Sequence, residues 1–479
     1  MVDRVRSRFL AFALVFGLPH GSLRAEPLSP ALYGGVEDIG AEGDNKWPSV
    51  VAHGGNVYVG WGSRAAANVV SRTEDQGPFA PLGDPPGVVG DNPTYFNVRV
   101  AGAPDGTLHA VWIDGSVANA VQLLHRAYAS GAWSPTRDVS PSYDFVNGAR
   151  VVVRPSGELF AVWSAPCEGV GNLVFSRSND AGTSWSAPQC IEMDAEAYAG
   201  ISSVGTAANG DVHLACAGGS VWHTVWNGRS FTSTRVTEAA DDFDATLSVG
   251  PDGRAVFGFR KVGQGAYWAQ QNEGGYHVEA FPMLGEVIGP VPVVVDGAGN
   301  VHAAWLATSA GSQEVWYAVK APGDSFSAPL LAVPADGGFM SNLDLALSLG
   351  ADGSARAHLV WEGWPGEIQV RHQQVRTACA ACPATCEDGL CPAPHEDGDE
   401  TSGSGTSADT EASTEGMSTG EATEATSSGS ASHGSSTTEP AGCGCPSAPR
   451  RAAWTPALLL LLAGTSLRRR VHGSVARRP

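Results

Sequence analysis

One unit recurs seven times between about residues 31 and 377, and that recurrence restricts the fold more than any other property of the chain. Each copy has an apolar strand, a turn built on Gly, and a second strand ending in a large or apolar residue. The second strands run from Gly55 to Trp61, Gly106 to Trp112, Gly157 to Trp163, Gly210 to Cys216, Gly253 to Phe259, Gly299 to Trp305 and Gly353 to Trp361. Successive turn glycines lie 51, 51, 53, 43, 46 and 54 residues apart. A period of this length with four short strands per unit predicts an all-β, seven-bladed β-propeller of four-stranded blades. Composition agrees, because 60 Gly, 31 Pro and 14 Trp suit many strands and turns.

Within a unit the pattern is that of a strand packed on both faces. Leu108, Ala110 and Trp112 alternate with His109 and Val111, and neither set is charged. The recurring Trp or Phe is therefore expected to pack blade against blade. His109, His213 and His302 occupy one repeat position three times, which also suits packing. The last unit supplies only three strands, ending near Arg376, whereas Val36 to Ile39 resembles the fourth strand of other units. This N-terminal strand is expected to complete the last blade and so remove two open edges.

A second hairpin follows each unit. Ser178, Asp180, Gly182 and Trp185 match the Asp-box pattern Ser-x-Asp-x-Gly-x-Ser-Trp, and Thr73 to Phe79 is a shortened copy. The chain here resembles the sialidase-like (BNR-repeat) propellers. The resemblance implies a structural role for the box, with Asp180 bonding turn amides while Trp185 packs. It also implies an enzyme hypothesis, a glycoside hydrolase acting on an acidic glycan. That family uses three Arg on the substrate carboxylate, a Tyr and Glu nucleophile pair and an Asp acid. Here Lys46 to Ser49 stands where the family's Phe-Arg-Ile-Pro type of motif is expected, and no third Arg occupies a matching position. No catalytic residue is therefore assigned, and fold alone does not supply function.

Function is expected at the loops that lead from one blade's outermost strand to the next blade's innermost strand. These loops hold Trp47, Tyr95, Tyr143, Asp144, Asp241, Asp242, Asp244 and Phe339. Aromatics and acids at a concave mouth suit carbohydrate or peptide recognition, or calcium at Asp241 to Asp244; no other cofactor or metal is expected. Arg99 and Arg150 each lie seven residues before a turn Gly, on innermost strands of neighbouring blades. Pointing into the channel they would clamp an anion; pairing with nearby acids is the structural account of them. The other units carry Pro48, Ser203, Thr246, Pro292 and Ala346 at that offset.

The flanking segments are addresses. Residues 1–25 pair Arg4, Arg6 and Arg8 with the apolar run from Phe9 to Leu18, a secretory signal peptide. Residues 378–392 hold Cys379, Cys382, Cys386 and Cys391. The first pair has zinc-ligand spacing, but an exported chain favours two disulfides, their pairing open among three. Cys167 and Cys190 are expected to pair within the third blade, leaving Cys216 buried; Cys190 with Cys216 is the other arrangement. Residues 393–442 are rich in Ser, Thr, Gly and Glu and are expected to form a disordered stalk. Residues 443–479 carry Cys443 and Cys445, a short hydrophobic helix and an Arg cluster, and resemble the myxobacterial C-terminal sorting signal (MYXO-CTERM). The resemblance implies a sortase-like processing protease near those Cys, passing membrane attachment and a place on the cell surface, associated with the outer membrane. With 29 basic and 49 acidic side chains the net charge is −20, which argues against a nucleic-acid partner. The chain reads as a binding or adhesion module for a glycan or extracellular protein.

Overall fold

The computed structural model describes the chain from Leu28 to Ala378, apart from residues 41–45, 84–86, 89–96, 116–120, 168–170, 193–199 and shorter loop stretches. Seven antiparallel sheets succeed one another around a central channel, and no helix occurs among the described residues. The innermost strands are Lys46–His53, Arg99–Gly102, Asn147–Val153, Gly200–Thr206, Asp242–Val249, Val293–Val295 and Phe339–Leu349, numbered here as blades 1 to 7. Because neighbours within a blade are antiparallel, the loops between blades reach one face, called upper here. The Gly turns after the innermost strands reach the lower face.

Packing follows from the alternation. In blade 3 the second strand, Leu159–Cys167, buries its first seven residues without a break, so both faces of the sheet are covered. Seven apolar clusters result, one at each interface between adjacent blades. The repeated aromatics sit in them: Trp163, Phe259, Trp305 and Trp361 are fully buried. Cys216 holds the same position in blade 4, where burial pushes its thiol up to about 12. Cys167 and Cys190 are joined by a disulfide that ties the second strand of blade 3 to its outermost strand.

Blade 7 is closed by the N-terminal strand Ser29–Asp38, paired antiparallel with Gln369–Ala378. Its interface with blade 1 has only eight buried apolar members among the described residues, against fourteen between blades 6 and 7. Polar contacts supplement it. Arg72 of blade 1 bonds Glu37 of the closing strand at 2.9 Å and lies over Phe79. Arg371 bonds Asp38 at 2.8 Å and also Asp336, so one guanidinium fastens the strand to its own blade.

The repeated histidines form cross-strand pairs. His109 meets His125 at 3.1 Å, His213 meets His223 at 2.9 Å and His358 meets His372 at 3.2 Å. In blade 6 Tyr317 takes the second place and bonds His302. The outer member packs on the next blade: His125 lies against Trp185, His223 bonds the Tyr276 hydroxyl at 2.7 Å, and His372 lies against Phe79. The hairpin from Ser178 to Trp185 completes the contact in blade 3. Asp180 accepts from the Ser184 amide at 2.9 Å and from its hydroxyl at 2.6 Å, and Ser178 Oγ accepts from the Gly182 amide at 2.8 Å. Those bonds hold Asp180 down to about 2. A side chain at Gly182 would run into the His125 ring.

Burial keeps the paired rings neutral, pushing His109 down to about 4 and His125, His223 and His358 to about 3. A depressed histidine stabilises the fold above the unfolded value near 6.5 and loses that contribution as pH falls towards the folded one. Thermal melts are therefore expected to show stability falling between about pH 6.5 and pH 4, by roughly 1.4 kcal/mol per pH unit for each such ring. His125→Gln, neutral throughout, should flatten the slope; an unchanged slope would place the proton uptake elsewhere.

Candidate functional site at the channel mouth

Most innermost strands bend as they enter the channel. Register slips fall between Lys46 and Ser49, Asn147 and Arg150, Ile201 and Ser203, Phe243 and Thr246, and Ser341 and Asp344. These are β-bulges, which turn the following side chain to a new direction. Four of them hold a residue in the left-handed region: Trp47 at φ 53°, Gly148 at 60°, Asp244 at 54° and Asn342 at 51°. For a bulky residue that conformation costs about 1–2 kcal/mol and has to be compensated. Glu362, 3% exposed, does so at two bulges, accepting from the Trp47 amide and from Ser341 Oγ.

Seven equivalent side chains then line the channel: Ser49, Arg99, Arg150, Ser203, Thr246, Pro292 and Asp344. Each lies opposite the residue that precedes a repeated buried side chain, as Arg150 lies opposite Val162 and Asp344 opposite Val360. Counting back from the turn Gly placed Pro48 and Ala346 at this level, and the structure corrects both. Blade 1 turns tightly, with His53 paired to Asn56. In blade 7 the ladder continues for five steps beyond Asp344, to Leu349 and Ala355, whereas in blade 3 it continues three beyond Arg150. The longer hairpin conceals an acid that faces the two arginines.

The mouth encloses a cavity of about 870 Å³. Arg99 Nη1 donates to the carbonyls of Trp47 at 3.3 Å and Pro48 at 3.1 Å, while its buried Nε has no partner. Arg150 donates from Nε and Nη2 to the Ser202 carbonyl at 3.0 and 2.7 Å, and from Nη1 to that of Ala149 at 2.9 Å. The expected pairing with acids is thus replaced by neutral carbonyls, and among the described residues neither guanidinium has a carboxylate within ion-pair distance. Burial lowers both below the ordinary arginine value, Arg150 further because Arg99 is near. Asp344 accepts from the amides of Val50 at 3.1 Å and Leu345 at 3.0 Å. Burial raises its pKa, and the Arg99 charge opposes that rise. Beside Arg99, the Oδ1 of Asn97 is buried in the same cavity wall without a partner.

The other expected residues lie apart from this cluster. Asp244 lines the cavity but is held by Arg260 at 2.8 Å. Asp242 is fully buried, 4.0 Å from the Lys261 ammonium, and Asp241 is exposed. Among the described residues no group of three His, Cys, Asp or Glu side chains could hold a metal ion, the three aspartates included. Tyr143 packs against the cluster between blades 2 and 3. Tyr95, Asp144, Cys379, Cys382, Cys386, Cys391, Cys443 and Cys445 lie outside the described residues. Asp344, Asn97 and Glu362 were missed; Arg99 and Arg150 each lie 13 residues before their buried Trp whereas Asp344 lies 17 before Trp361, so no fixed offset would have found it.

No protein-family model and no curated protein matches the chain. Among solved structures, an ulvan lyase of polysaccharide lyase family PL25 superposes with a TM-score of 0.51 at 10% identity, over 70% of this chain and 95% of its own. The same lyase bound to -[GlcA(1-4)Rha3S]- gives 0.51 at 11% identity, with the same coverage. The intramolecular trans-sialidase from Ruminococcus gnavus, in complex with oseltamivir carboxylate, gives 0.40 at 12% identity over 70% and 95%. The likeness to the lyase is one of fold.

The bulges make a direct test. Gly148 has a positive φ and would bring a Cβ within 3.2 Å of the Ile201 carbonyl oxygen. Gly148→Ala is expected to cost about 1–3 kcal/mol in urea unfolding, whereas Asn342→Gly should be neutral or stabilising. Equal effects of the two would contradict the left-handed bulge at these positions.

Proposed function

We propose that this chain is an exported, cell-surface-anchored propeller that binds an acidic glycan at its channel mouth. The observation that carries the reading is the pair of buried guanidiniums, Arg99 and Arg150, which share one cavity and have no carboxylate partner among the described residues. An arginine has five N–H donors, and among the described residues Arg99 uses only Nη1. An anion at the mouth would accept from what remains and offset the desolvation of both charges. A recessed cavity of about 870 Å³ suits a few sugar units better than a flat protein surface. Of the five remaining ring positions, Ser49, Ser203, Thr246 and Pro292 are neutral and Asp344 is acidic, so the two arginines outnumber the one carboxylate of the ring in an otherwise acidic chain.

Residues 1–25 support export, and the Cys, apolar and Arg elements of residues 443–479 support surface attachment after processing near Cys443 or Cys445. Binding is favoured over hydrolysis or elimination by the lining. Asp244 is engaged by Arg260, Asp344 by two amides, and no Tyr is among the described lining residues.

The test is a glycan array of acidic and neutral oligosaccharides probed with the full chain, beside turnover assays on the same compounds. Retention of acidic glycans is expected, weakened about tenfold or more in Arg99→Met with Arg150→Met, with no change in neutral ones. Turnover lost in the double variant would make the mouth an active site; binding indifferent to both substitutions would move the site elsewhere.

A further inference from the structure

Beyond the arginines, the mouth holds two acceptors whose bonding the described residues leave incomplete. Asp344 occupies in blade 7 the ring position that Arg99 and Arg150 occupy in blades 2 and 3, so all three side chains look onto one space. Each of its oxygens takes one main-chain amide, from Val50 or Leu345, and a carboxylate has about four acceptor sites. Asn97, 7% exposed, stands two residues before Arg99, just ahead of the strand Arg99–Gly102, its Oδ1 buried and unpartnered in the cavity wall. Buried polar atoms without a partner are rare in folded chains and mark places where water or a ligand completes the bonding.

The charge arrangement limits what can complete it. Two guanidiniums attract an anionic group, but a second negative charge beside it would meet the Asp344 carboxylate in the same cavity. A hydroxyl placed there would donate to Asp344 or to Asn97 Oδ1 instead. Sulfate esters and phosphate monoesters lack that donor where the hydroxyl has been consumed, and they add charge.

We propose that Asp344 and Asn97 set the specificity of this site, selecting uronic acids whose hydroxyls beside the carboxylate are free over densely sulfated or phosphorylated sugars. These hydroxyls are any free ring hydroxyls of the uronic acid, as on C2 and C3 of a 1,4-linked galacturonate, and the inference rests on the acidic-glycan reading above. Carboxylate on the arginines and donated hydroxyls on the acceptors together satisfy the open atoms of the mouth, which a polysulfate cannot do.

The experiment is titration calorimetry of the full chain with trigalacturonate and with a heparin-derived oligosaccharide, on the unaltered protein, Asp344→Asn and Asn97→Ala. The unaltered protein should prefer trigalacturonate. Asp344→Asn, which keeps the acceptor for one of the Val50 and Leu345 amides and removes the charge, should narrow that preference by about tenfold or more, mainly by admitting the sulfated ligand. Asn97→Ala, which breaks no bond within the protein, should weaken trigalacturonate by about threefold to tenfold and leave the melting temperature unchanged. If trigalacturonate binds and both variants keep the original ratio, the assignment of Asp344 and Asn97 is wrong while the arginine site stands. If neither ligand binds the unaltered protein, the acidic-glycan reading falls and this inference with it. Should Asp344→Asn melt early, the Asn97→Ala result decides alone.

Discussion

Burial of apolar side chains between neighbouring blades is what the rest of the structure depends on. No blade could stand alone, because a four-stranded sheet with two apolar faces needs a partner on each. The seven interfacial clusters meet this requirement in turn, and the requirement becomes self-consistent only when the seventh blade meets the first. There the apolar cluster is smallest among the described residues, and the ion pair from Arg72 to Glu37 makes up part of the difference, while Arg371 holds Asp38 of the closing strand to its own blade. Both acids lie on the closing strand, so the ring is held by residues from opposite ends of the domain.

Interfacial packing also explains why the channel is available for function. Side chains that reach the blade interfaces are constrained by close packing on both sides. The ring residues are not, since the bulges rotate them away from the interfaces into the open axis. Serine, threonine, proline, arginine and aspartate are all accommodated there. Backbone strain at Trp47, Asp244 and Asn342 accompanies this geometry, and Glu362 carries part of its compensation. Buried carboxylates thus serve two ends: Glu362 braces the bulges, whereas Asp344 faces the cavity.

The arginines have a double character. By donating to carbonyls of the adjoining blades, Arg99 ties blade 2 to blade 1 and Arg150 ties blade 3 to blade 4. Carbonyls are neutral, so these bonds orient the guanidiniums without cancelling their charge. A carboxylate partner of the protein's own would have fixed them equally well and removed their attraction for an anion.

Much of the architecture was legible in the amino-acid order. The Gly-to-aromatic period determined the number of blades, because each copy is one hairpin with a side chain for the next interface. The role of the paired histidines followed from their repetition, although their partners His125, His223 and His372 did not, since cross-strand pairing is set by register. Arg99 and Arg150 were visible as charges at a position otherwise neutral. What only the tertiary structure decided was which side chains join them. Asp344 was hidden by a hairpin longer than its counterparts, Asn97 gave no signal outside its place in the cavity wall, and Asp242 and Asp244 went to separate cations while Asp241 stayed exposed. The physical reason is that a repeat specifies contacts within and between units, where spacing along the chain is conserved by the hydrogen-bond ladder. A channel site is assembled across units, where bulges and turn lengths shift the register independently in each blade.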